Sequence, residues 1–253
     1  MSETDTQQSL LRVKQVSKSF GGVHAVVDVD FELRQGELLG LIGPNGSGKT
    51  TLVNLITGFI RPDAGKIEFR GRDITGWMPY RIARLGIART FQMVRPFAGL
   101  PAFKNLIIPL FSPRVKALSG GQYGDRDSIS KDLLEEVGFE RESSVTYKPA
   151  GSLPHGYLKR LELAKCLALR ADLIILDELF SGLSIAELAS IVPVIDKLMV
   201  EGKTIIMIEH RLRELFRIAD RALVLNFGSV VADGKPADIM ETEEVKQAYL
   251  GTE

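Results

Sequence analysis

A short stretch that follows an apolar run has the composition of a phosphate-binding loop. Gly43, Gly48, Lys49 and Thr50 satisfy the spacing G-x-x-x-x-G-K-[ST], with LLGLI before them and an amphipathic helical pattern after them. Glycines let backbone N–H groups turn toward a phosphate, lysine can reach its oxygens, and a threonine hydroxyl can bind Mg²⁺. An ordinary glycine-rich turn explains both flanks less well. The predicted phosphate-binding set also includes Asn45, Gly46, Ser47 and Thr51.

Two adjacent carboxylates could supply hydrolytic chemistry. Asp177 and Glu178 directly follow the apolar run LIIL. This places them at the C-terminal end of a predicted central strand, where ligands bind in open α/β sheets. Asp177 is suited to hold Mg²⁺, directly or through water, and Glu178 is the candidate general base for an attacking water. A merely solvated pair is the alternative, and the phosphate-binding spacing in the same chain argues against it.

Two further polar residues have weaker signals. His210 ends the strand-like run IIMIE, and a lone histidine in that position is as often structural as catalytic. In a nucleotide site it could contact the terminal phosphate and hold the attacking water. Gln92, in RTFQMVRPF, carries an amide that can accept a hydrogen bond from a metal-bound water and donate one toward phosphate.

The elements that must position these residues follow from hydrophobic patterning. Continuous apolar runs at 38–43, 173–178, 204–210 and 221–227, with helical patterns between several of them, predict a parallel sheet buried on both faces. FELRQGE and KIEFRGRD alternate apolar with polar residues, which is typical of half-solvated antiparallel strands. From Thr90 to about Lys165 the strand signals fade. We predict a helical insertion there, with one helix over 128–138 between a serine and a glycine.

Composition excludes some classes of function. Lys plus Arg equals Asp plus Glu at 32 each, which argues against bulk nucleic-acid binding. Each apolar run is well short of the roughly 20 residues of a membrane-spanning helix, and the N-terminus is polar and acidic, so we expect a soluble chain. The single cysteine, Cys166, has apolar neighbours at helical spacing and is predicted to be buried in a protein of a reducing compartment.

Together these residues resemble the ATPase subunits of ATP-binding cassette (ABC) transporters, over nearly the whole chain. KSFGG, GRDITG, ARLGIARTFQ followed by RPF, and EEVKQAYLG are most similar to the ATPases of branched-chain amino-acid importers. The resemblance implies that the chain binds ATP and Mg²⁺ and hydrolyses ATP to drive transport. It also implies that Phe20 stacks on adenine, that Gln92 is the switch glutamine and contacts the metal, and that His210 is the switch histidine.

The resemblance also implies a fold, a domain organisation and partners. The fold class is α/β: a P-loop NTPase core with a mostly parallel central sheet, an antiparallel β layer and a helical insertion. We expect one ABC ATPase domain over 1–253, comprising the antiparallel layer and phosphate loop (11–90), a helical subdomain (91–165), and the rest of the core with the tail (166–253). Two cassettes would face each other head to tail, as a homodimer or heterodimer. They would dock through the helical insertion on membrane-spanning subunits at the cytoplasmic face of the membrane.

The family's signature motif, LSGGQ, is spelled by residues 118–122, which we call the LSGGQ loop. In the family, however, the signature leucine lies 24 positions before the magnesium aspartate, and a basic amphipathic helix follows it. Leu153 has that distance to Asp177 (177 minus 153), and its sequence continues as such a helix. The LSGGQ loop instead runs into YGDRDS, rich in turn formers. We therefore assign the signature to Leu153–Tyr157, the signature segment, with Gly156 as the predicted contact to the partner's ATP.

The signature segment departs from the family pattern. Pro154 replaces a serine, His155 a glycine and Tyr157 a glutamine, and after the base Leu179 and Ser184 replace a proline and an aspartate or asparagine. The proline removes a hydroxyl and an N–H that could reach the partner's phosphate. One alternative function is therefore an ATP-binding subunit with weak hydrolysis in a heterodimeric transporter. A P-loop kinase acting on a small molecule is another, but it leaves EEVKQAYLG unexplained.

Overall fold

Strands and helices alternate along the described part of the chain, which in this computed structural model comprises residues 9–122, 124–140 and 143–250. The strands are β1 (Ser9–Phe20), β2 (Val23–Arg34), β3 (Leu38–Ile42), β4 (Ala64–Phe69), β5 (Arg72–Asp73), β6 (Ile87–Arg89), β7 (Leu173–Asp177), β8 (Thr204–Ile208), β9 (Arg221–Asn226) and β10 (Ser229–Gly234). The α-helices are α1 (Lys49–Ile56), α2 (Pro79–Leu85), α3 (Ile107–Leu110), α4 (Pro113–Leu118), α5 (Arg126–Glu136), α6 (Ser144–Tyr147), α7 (His155–Ala168), α8 (Ile185–Val200), α9 (Leu212–Phe216), α10 (Pro236–Ile239) and α11 (Glu243–Leu250). Short 3₁₀ helices span Ala102–Leu106 and Ala150–Ser152.

The elements group into two units. The first unit combines residues up to Ile82 with those from Gly202 onward, and the second unit runs from Ala83 to Glu201.

The first unit contains the predicted antiparallel layer, with strand order β2-β1-β4-β5. Along β2 the side chains of Val29, Phe31 and Leu33 are buried while the residues between them are exposed. This is the alternation from which the layer was predicted, because successive side chains of a strand point to opposite faces of the sheet.

The first unit also contains parallel strands. β3 pairs in parallel with β8 on one side and with β9 on the other, and β9 pairs with β10 in an antiparallel hairpin. Every residue of β3 and β8 is buried, which explains their continuous apolar sequences. The predicted α/β class with parallel strands and an antiparallel layer is confirmed.

The second unit opens with β6, which pairs in parallel with β7 from Ile87↔Leu173 onward. Between residues 90 and 165 the described elements are helical, apart from an isolated bridge between Pro101 and Pro149. α5 begins two residues before the predicted start, because the side chain of Asp125, rather than a serine, accepts hydrogen bonds from the backbone at the start of the helix. Gly138, at φ +87°, follows the helix as predicted.

α7 forms much of the buried interior of the second unit. Cys166 on this helix is buried as predicted, and burial raises the pKa of its thiol to about 12, so it remains a protonated core residue at neutral pH. Within the residues described, every helix falls short of the length and apolar character that crossing a membrane requires.

Candidate nucleotide-binding site

The phosphate loop connects β3 to α1, and two of its glycines are closely packed against neighbouring backbone. Gly43 has φ +148° and Gly48, the N-cap of α1, has φ +103°. Residues other than glycine rarely adopt these backbone conformations. A Cβ atom at Gly43 would lie 2.1 Å from the carbonyl oxygen of Leu225. One at Gly48 would lie 2.4 Å from that of Ala25. The loop therefore has its shape because neighbouring backbone leaves no room for side chains.

Lys49 lies inside this loop, with only 6% of its surface exposed. Its Nζ donates to the carbonyl oxygens of Gly43 at 2.7 Å and Pro44 at 2.8 Å, and lies 3.3 Å from Ser47 Oγ. No side chain of the described residues caps α1, and its first turn contains no acidic residue. A buried ammonium at an uncapped helix N-terminus is chemically suited to hold phosphate.

Of the other predicted nucleotide contacts of the first unit, Ser47 is buried and the rest lie at more accessible positions. Asn45, Gly46 and Thr50 are exposed and Thr51 is half-buried. Phe20, at the end of β1, is 46% exposed, with Lys18 Nζ 5.4 Å from the centre of its ring. His210 follows β8 and is also exposed. The phenyl face of Phe20 is thus accessible to a planar base, and the His210 side chain to solvent.

In the second unit, Asp177 is the last residue of β7 and its carboxylate is almost fully buried. Its Oδ2 accepts a 2.6 Å hydrogen bond from Arg89 Nη2, and both side chains are only 7% exposed. Its backbone N–H donates to Thr90 Oγ1 at 3.1 Å. Arg89 could not be singled out from the sequence, because nothing in the spacing of GIART distinguishes an ion-paired arginine from a solvated one. The ion pair forms because β6 and β7 are neighbours.

The structure brings Gln92 and Glu178 together, although they are far apart in sequence. Gln92 Nε2 donates to Glu178 Oε2 at 2.7 Å. Glu178 has φ +51°, a left-handed conformation that is uncommon for residues other than glycine, asparagine and aspartate. Strained backbone of this kind occurs preferentially at functional sites. The carboxylate proposed as a base therefore has a defined orientation and a defined neighbour.

The signature segment lies at the start of α7, with Pro154 as the N-cap residue rather than the first helical residue. His155 Nε2 lies 3.3 Å from the carbonyl oxygen of Ser181, in the loop that follows the base. Gly156 is buried, and a Cβ atom there would lie 2.3 Å from Glu187 Oε1 on α8. Within its own chain, the Glu187 side chain thus occupies the space into which a side chain at position 156 would extend.

Ser184, which departs from the family pattern, caps α8. Its Oγ accepts from the backbone N–H of Glu187 at 3.3 Å, and Glu187 Oε2 accepts from the N–H of Ser184 at 2.8 Å. These two bonds form a capping box. Hydrogen bonds from Ser184 hold the pKa of the Glu187 carboxyl below its usual range. The serine therefore has a structural role in this chain.

The LSGGQ loop ends a helix, whereas the signature segment begins one. Leu118 is the last residue of α4, and the N–H of Gly121 donates to the carbonyl oxygen of Lys116 at 2.9 Å. Gly120 and Gly121 have φ values of +62° and +85°, which is typical of glycines that close a helix. The LSGGQ loop is thus a turn after α4, as expected. The turn predicted for YGDRDS is wrong at Arg126–Ser128, which form the first turn of α5 because Asp125 caps that helix.

Oxygen donors that suit Mg²⁺ are present in both units. They are the exposed hydroxyl of Thr50 and the carboxylate of Asp177, one oxygen of which bonds Arg89. Within the described residues, no group of three or more histidines, cysteines, aspartates or glutamates could hold a metal by itself. Mg²⁺ at nucleotide sites keeps several waters and takes one or two protein oxygens plus phosphate oxygens, so the hydroxyl of Thr50 and the carboxylate of Asp177 are each of a kind that suits it.

These features define a P-loop ATPase, and comparison with known proteins identifies its family. The sequence profile of the ABC transporter family matches residues 26–181, and the chain belongs to that family. It is 36% identical over 259 residues to the high-affinity branched-chain amino acid transport ATP-binding protein LivG of Salmonella typhimurium, covering 96% of this chain and 98% of the relative. It is 34% identical over 252 residues to the corresponding protein BraF of Pseudomonas aeruginosa, covering 96% and 98%.

A solved structure agrees with this assignment. The ADP conformation of MJ1267, an ATP-binding cassette of an ABC transporter, matches with a TM-score of 0.82 and 29% identity, covering 96% of this chain and 99% of that one. The predicted family and its class, an energy-coupling ATPase of a transporter, are therefore confirmed.

Proposed function

We propose that this chain is the ATP-hydrolysing subunit of an importer for branched-chain or related amino acids. The observation that carries the proposal is identity of about one third to LivG and BraF over 96% of the chain. Both relatives are named for branched-chain amino acid transport, and this chain spans them almost completely. The solute itself would be selected by other subunits of the importer, so the amino-acid class rests on these relatives.

ATP binding is assigned to the phosphate loop of the first unit. Lys49 would exchange its present bonds to loop carbonyls for phosphate oxygens, as the ammonium already lies within the loop. Backbone N–H groups of Asn45–Thr51 would complete the phosphate contacts, and Phe20 would stack on the adenine. The exposure of Asn45, Gly46 and Thr50 supports this role.

Hydrolysis is assigned to Glu178 as general base, with Gln92 and His210 orienting the attacking water and the terminal phosphate. The hydrogen bond from Gln92 Nε2 directs the base, and the Gln92 amide oxygen would contact the metal. Thr50 and Asp177 would hold Mg²⁺, together with Gln92. The ion would offset phosphate charge when bound. Arg89 would hold the Asp177 carboxylate in its orientation.

The partners are proposed to be a second ATPase subunit and membrane-spanning subunits, which would place the chain peripherally at the cytoplasmic face of the membrane. The predicted helical insertion (91–165) would carry the membrane-subunit contact. Large apolar side chains are exposed on this segment, and exposed apolar surface of this kind marks interaction sites. They include Phe91, Met93, Phe97, Leu100, Ile108, Phe111 and Leu118.

A second function, an ATP-binding subunit with weak hydrolysis in a heterodimer, is favoured by the signature segment. Gly156 faces Glu187, and His155 lies against Ser181, both within the same chain. Contacts of this kind compete with contacts to a partner's nucleotide. Under this alternative, the signature segment of this chain would support little hydrolysis of the ATP that it faces.

An ATP-hydrolysing importer subunit and a weakly hydrolysing subunit of a heterodimer differ in the ATP that they hydrolyse in a single turnover. We would express the chain with the membrane proteins that co-purify with it, reconstitute the complex in vesicles, and measure ATP hydrolysis and uptake of leucine. Leucine uptake that requires ATP and is lost in Lys49→Ala supports the proposal. A complex that hydrolyses ATP but carries no branched-chain amino acid contradicts the proposed solute. A homodimer that binds ATP but does not hydrolyse it, even in a single turnover, supports the heterodimer alternative.

A further inference from the structure

Lys159 lies in the second turn of α7 and contacts two parts of the second unit that the hydrolysis site uses. Its Nζ donates to the carbonyl oxygen of Glu178 at 2.8 Å and lies 3.3 Å from that of Gln92. The side chain is nearly inaccessible, with 2% of the residue exposed. Both acceptors belong to the residues whose side chains meet in the Gln92–Glu178 hydrogen bond.

A buried ammonium is costly unless its N–H groups are paired, so its position implies a specific role. Hydrogen bonds from a charged donor to carbonyl oxygens are stronger than bonds between neutral groups. They restrain the peptide groups rather than the side chains. The restraint at Glu178 acts on a residue in the left-handed region at φ +51°, a conformation that persists only where its surroundings enforce it.

We propose that Lys159 is a positioning residue for ATP hydrolysis: its ammonium fixes the backbone at Gln92 and Glu178 so that the amide and the carboxylate meet. The inference rests on the proposed function, because it assigns Lys159 to the same hydrolysis site. Lys159 touches neither nucleotide nor water in this role. It acts only through the two peptide groups.

The position of Lys159 on α7 gives the proposal a second consequence. His155 and Gly156 begin the same helix, about one turn earlier, and His155 contacts the loop after the base at Ser181. A helix moves largely as one body. Displacement of the signature segment is therefore transmitted to Glu178 and Gln92 through Lys159.

The test compares Lys159→Met with Lys159→Gln, which have similar volumes. Methionine preserves buried apolar bulk but donates no hydrogen bond, whereas glutamine retains an amide donor on a side chain one bond shorter. We expect Lys159→Met to lower kcat at least about tenfold, because both hydrogen bonds from a charged donor are lost. Lys159→Gln should lower kcat less, because its amide can still donate one of them. The ATP dissociation constant, measured by calorimetry, should change less than about twofold in both, since the phosphate loop belongs to the other unit.

Hydrogen exchange supplies a readout that does not depend on activity. Amide exchange should accelerate in Lys159→Met at residues 91–95 and 178–183, with α5 and α8 unchanged. Lys165→Met is the matched control, because Lys165 lies on the same helix but pairs with Glu162 Oε1 at 2.5 Å. It should leave both the kcat and the exchange of these segments at wild-type values.

Each outcome is decisive. A Lys159→Met variant with wild-type kcat, or one at least as active as Lys159→Gln, would overturn the inference, since packing rather than donation would then matter. Uniformly faster exchange throughout residues 83–201 would equally show a general structural role. If the wild-type chain did not hydrolyse ATP at all, the proposed function would fail while the exchange measurement still tested the restraint.

Discussion

The LSGGQ loop and the signature segment show that a motif's letters and its structural context can be separated within one chain. The LSGGQ loop has the family's letters but closes α4, with two glycines in left-handed conformation. The signature segment keeps only Leu153 and Gly156 of the motif but opens α7. The N-terminus of a helix presents N–H groups to an anion, and its C-terminus presents carbonyl oxygens. Of the two segments, only the signature segment has the polarity that contact with a phosphate requires.

The largest effect is expected from Glu178→Gln. This variant would trap the ATP-bound dimer, in which the LSGGQ loop and the signature segment can be compared. Removal of the proposed base should lower turnover by about a hundredfold or more while ATP binding is retained. The variant should accumulate as an ATP-bound dimer, measurable by light scattering. Glu201→Gln, a substitution at an exposed residue after α8, is the control and should hydrolyse ATP at the wild-type rate.

The trapped dimer can then be probed with thiol reagents. Because Cys166 is the chain's one cysteine and is buried, a cysteine introduced at His155 or at Gln122, both exposed, would be the reactive group. ATP should protect the cysteine at 155 and leave the one at 122 reactive. The reverse pattern would assign the signature role to the LSGGQ loop.

A smaller effect is expected from a carboxylate placed in each segment. His155→Asp should lower turnover and ATP-driven dimerisation by roughly tenfold, because the new charge would repel the partner's phosphate. Gln122→Asp should change both by less than about twofold. We would measure steady-state hydrolysis and light scattering, with thermal denaturation to separate charge repulsion from unfolding. Equal losses in the two variants would erase the distinction between the segments.

His155 and Gln122 are more informative positions for this test than the glycines of the two segments. A side chain at Gly156 would displace the Glu187 side chain of its own chain, and the carboxylate of Gly156→Asp would lie beside that of Glu187, so part of any loss would arise without a partner. At Gly121, with φ +85°, any substitution adds backbone strain.

Restoring part of the family motif should have a still smaller effect, in the opposite direction. Pro154→Ser would add a hydroxyl and an N–H at the N-cap of α7, and serine is a favoured N-cap residue. We expect turnover to rise by roughly twofold to fivefold if the missing donors limit stabilisation of the partner's phosphate. Pro113→Ser, at the first position of α4, should not raise turnover. No gain in Pro154→Ser would indicate that the proline is not the limiting departure.

The smallest effect is expected in the LSGGQ loop itself. Gly121→Ala should lower the free energy of unfolding by about 1 kcal/mol, because alanine disfavours the left-handed conformation, while turnover stays unchanged. Urea denaturation followed by circular dichroism would measure the loss. Gly99→Ala is the matched control, since an added Cβ there meets nothing within 4 Å and no left-handed φ is involved. A drop in turnover for Gly121→Ala alone would reassign the loop to the site.

Much of the site was predictable because it depends on local sequence. The phosphate loop needs glycines, a lysine and a hydroxyl at fixed spacing between a strand and a helix. Asp177 was recognisable as the end of a buried strand. The bounds of α5 were predicted less well, since Asp125 and Ser128 are both good N-cap residues and a local pattern does not rank them.

The family, the α/β class, the phosphate loop and the spacing that separates the two candidate signatures could all be recognised from the sequence. These depend on residue type and on distance along the chain. The tertiary structure alone decided that Arg89 pairs with Asp177, that Gln92 meets Glu178, that Lys159 joins their backbones, and that Gly156 packs against Glu187. Such contacts join residues far apart in the chain, and they form only when β6, β7, α7 and α8 are packed together, so no local pattern encodes them.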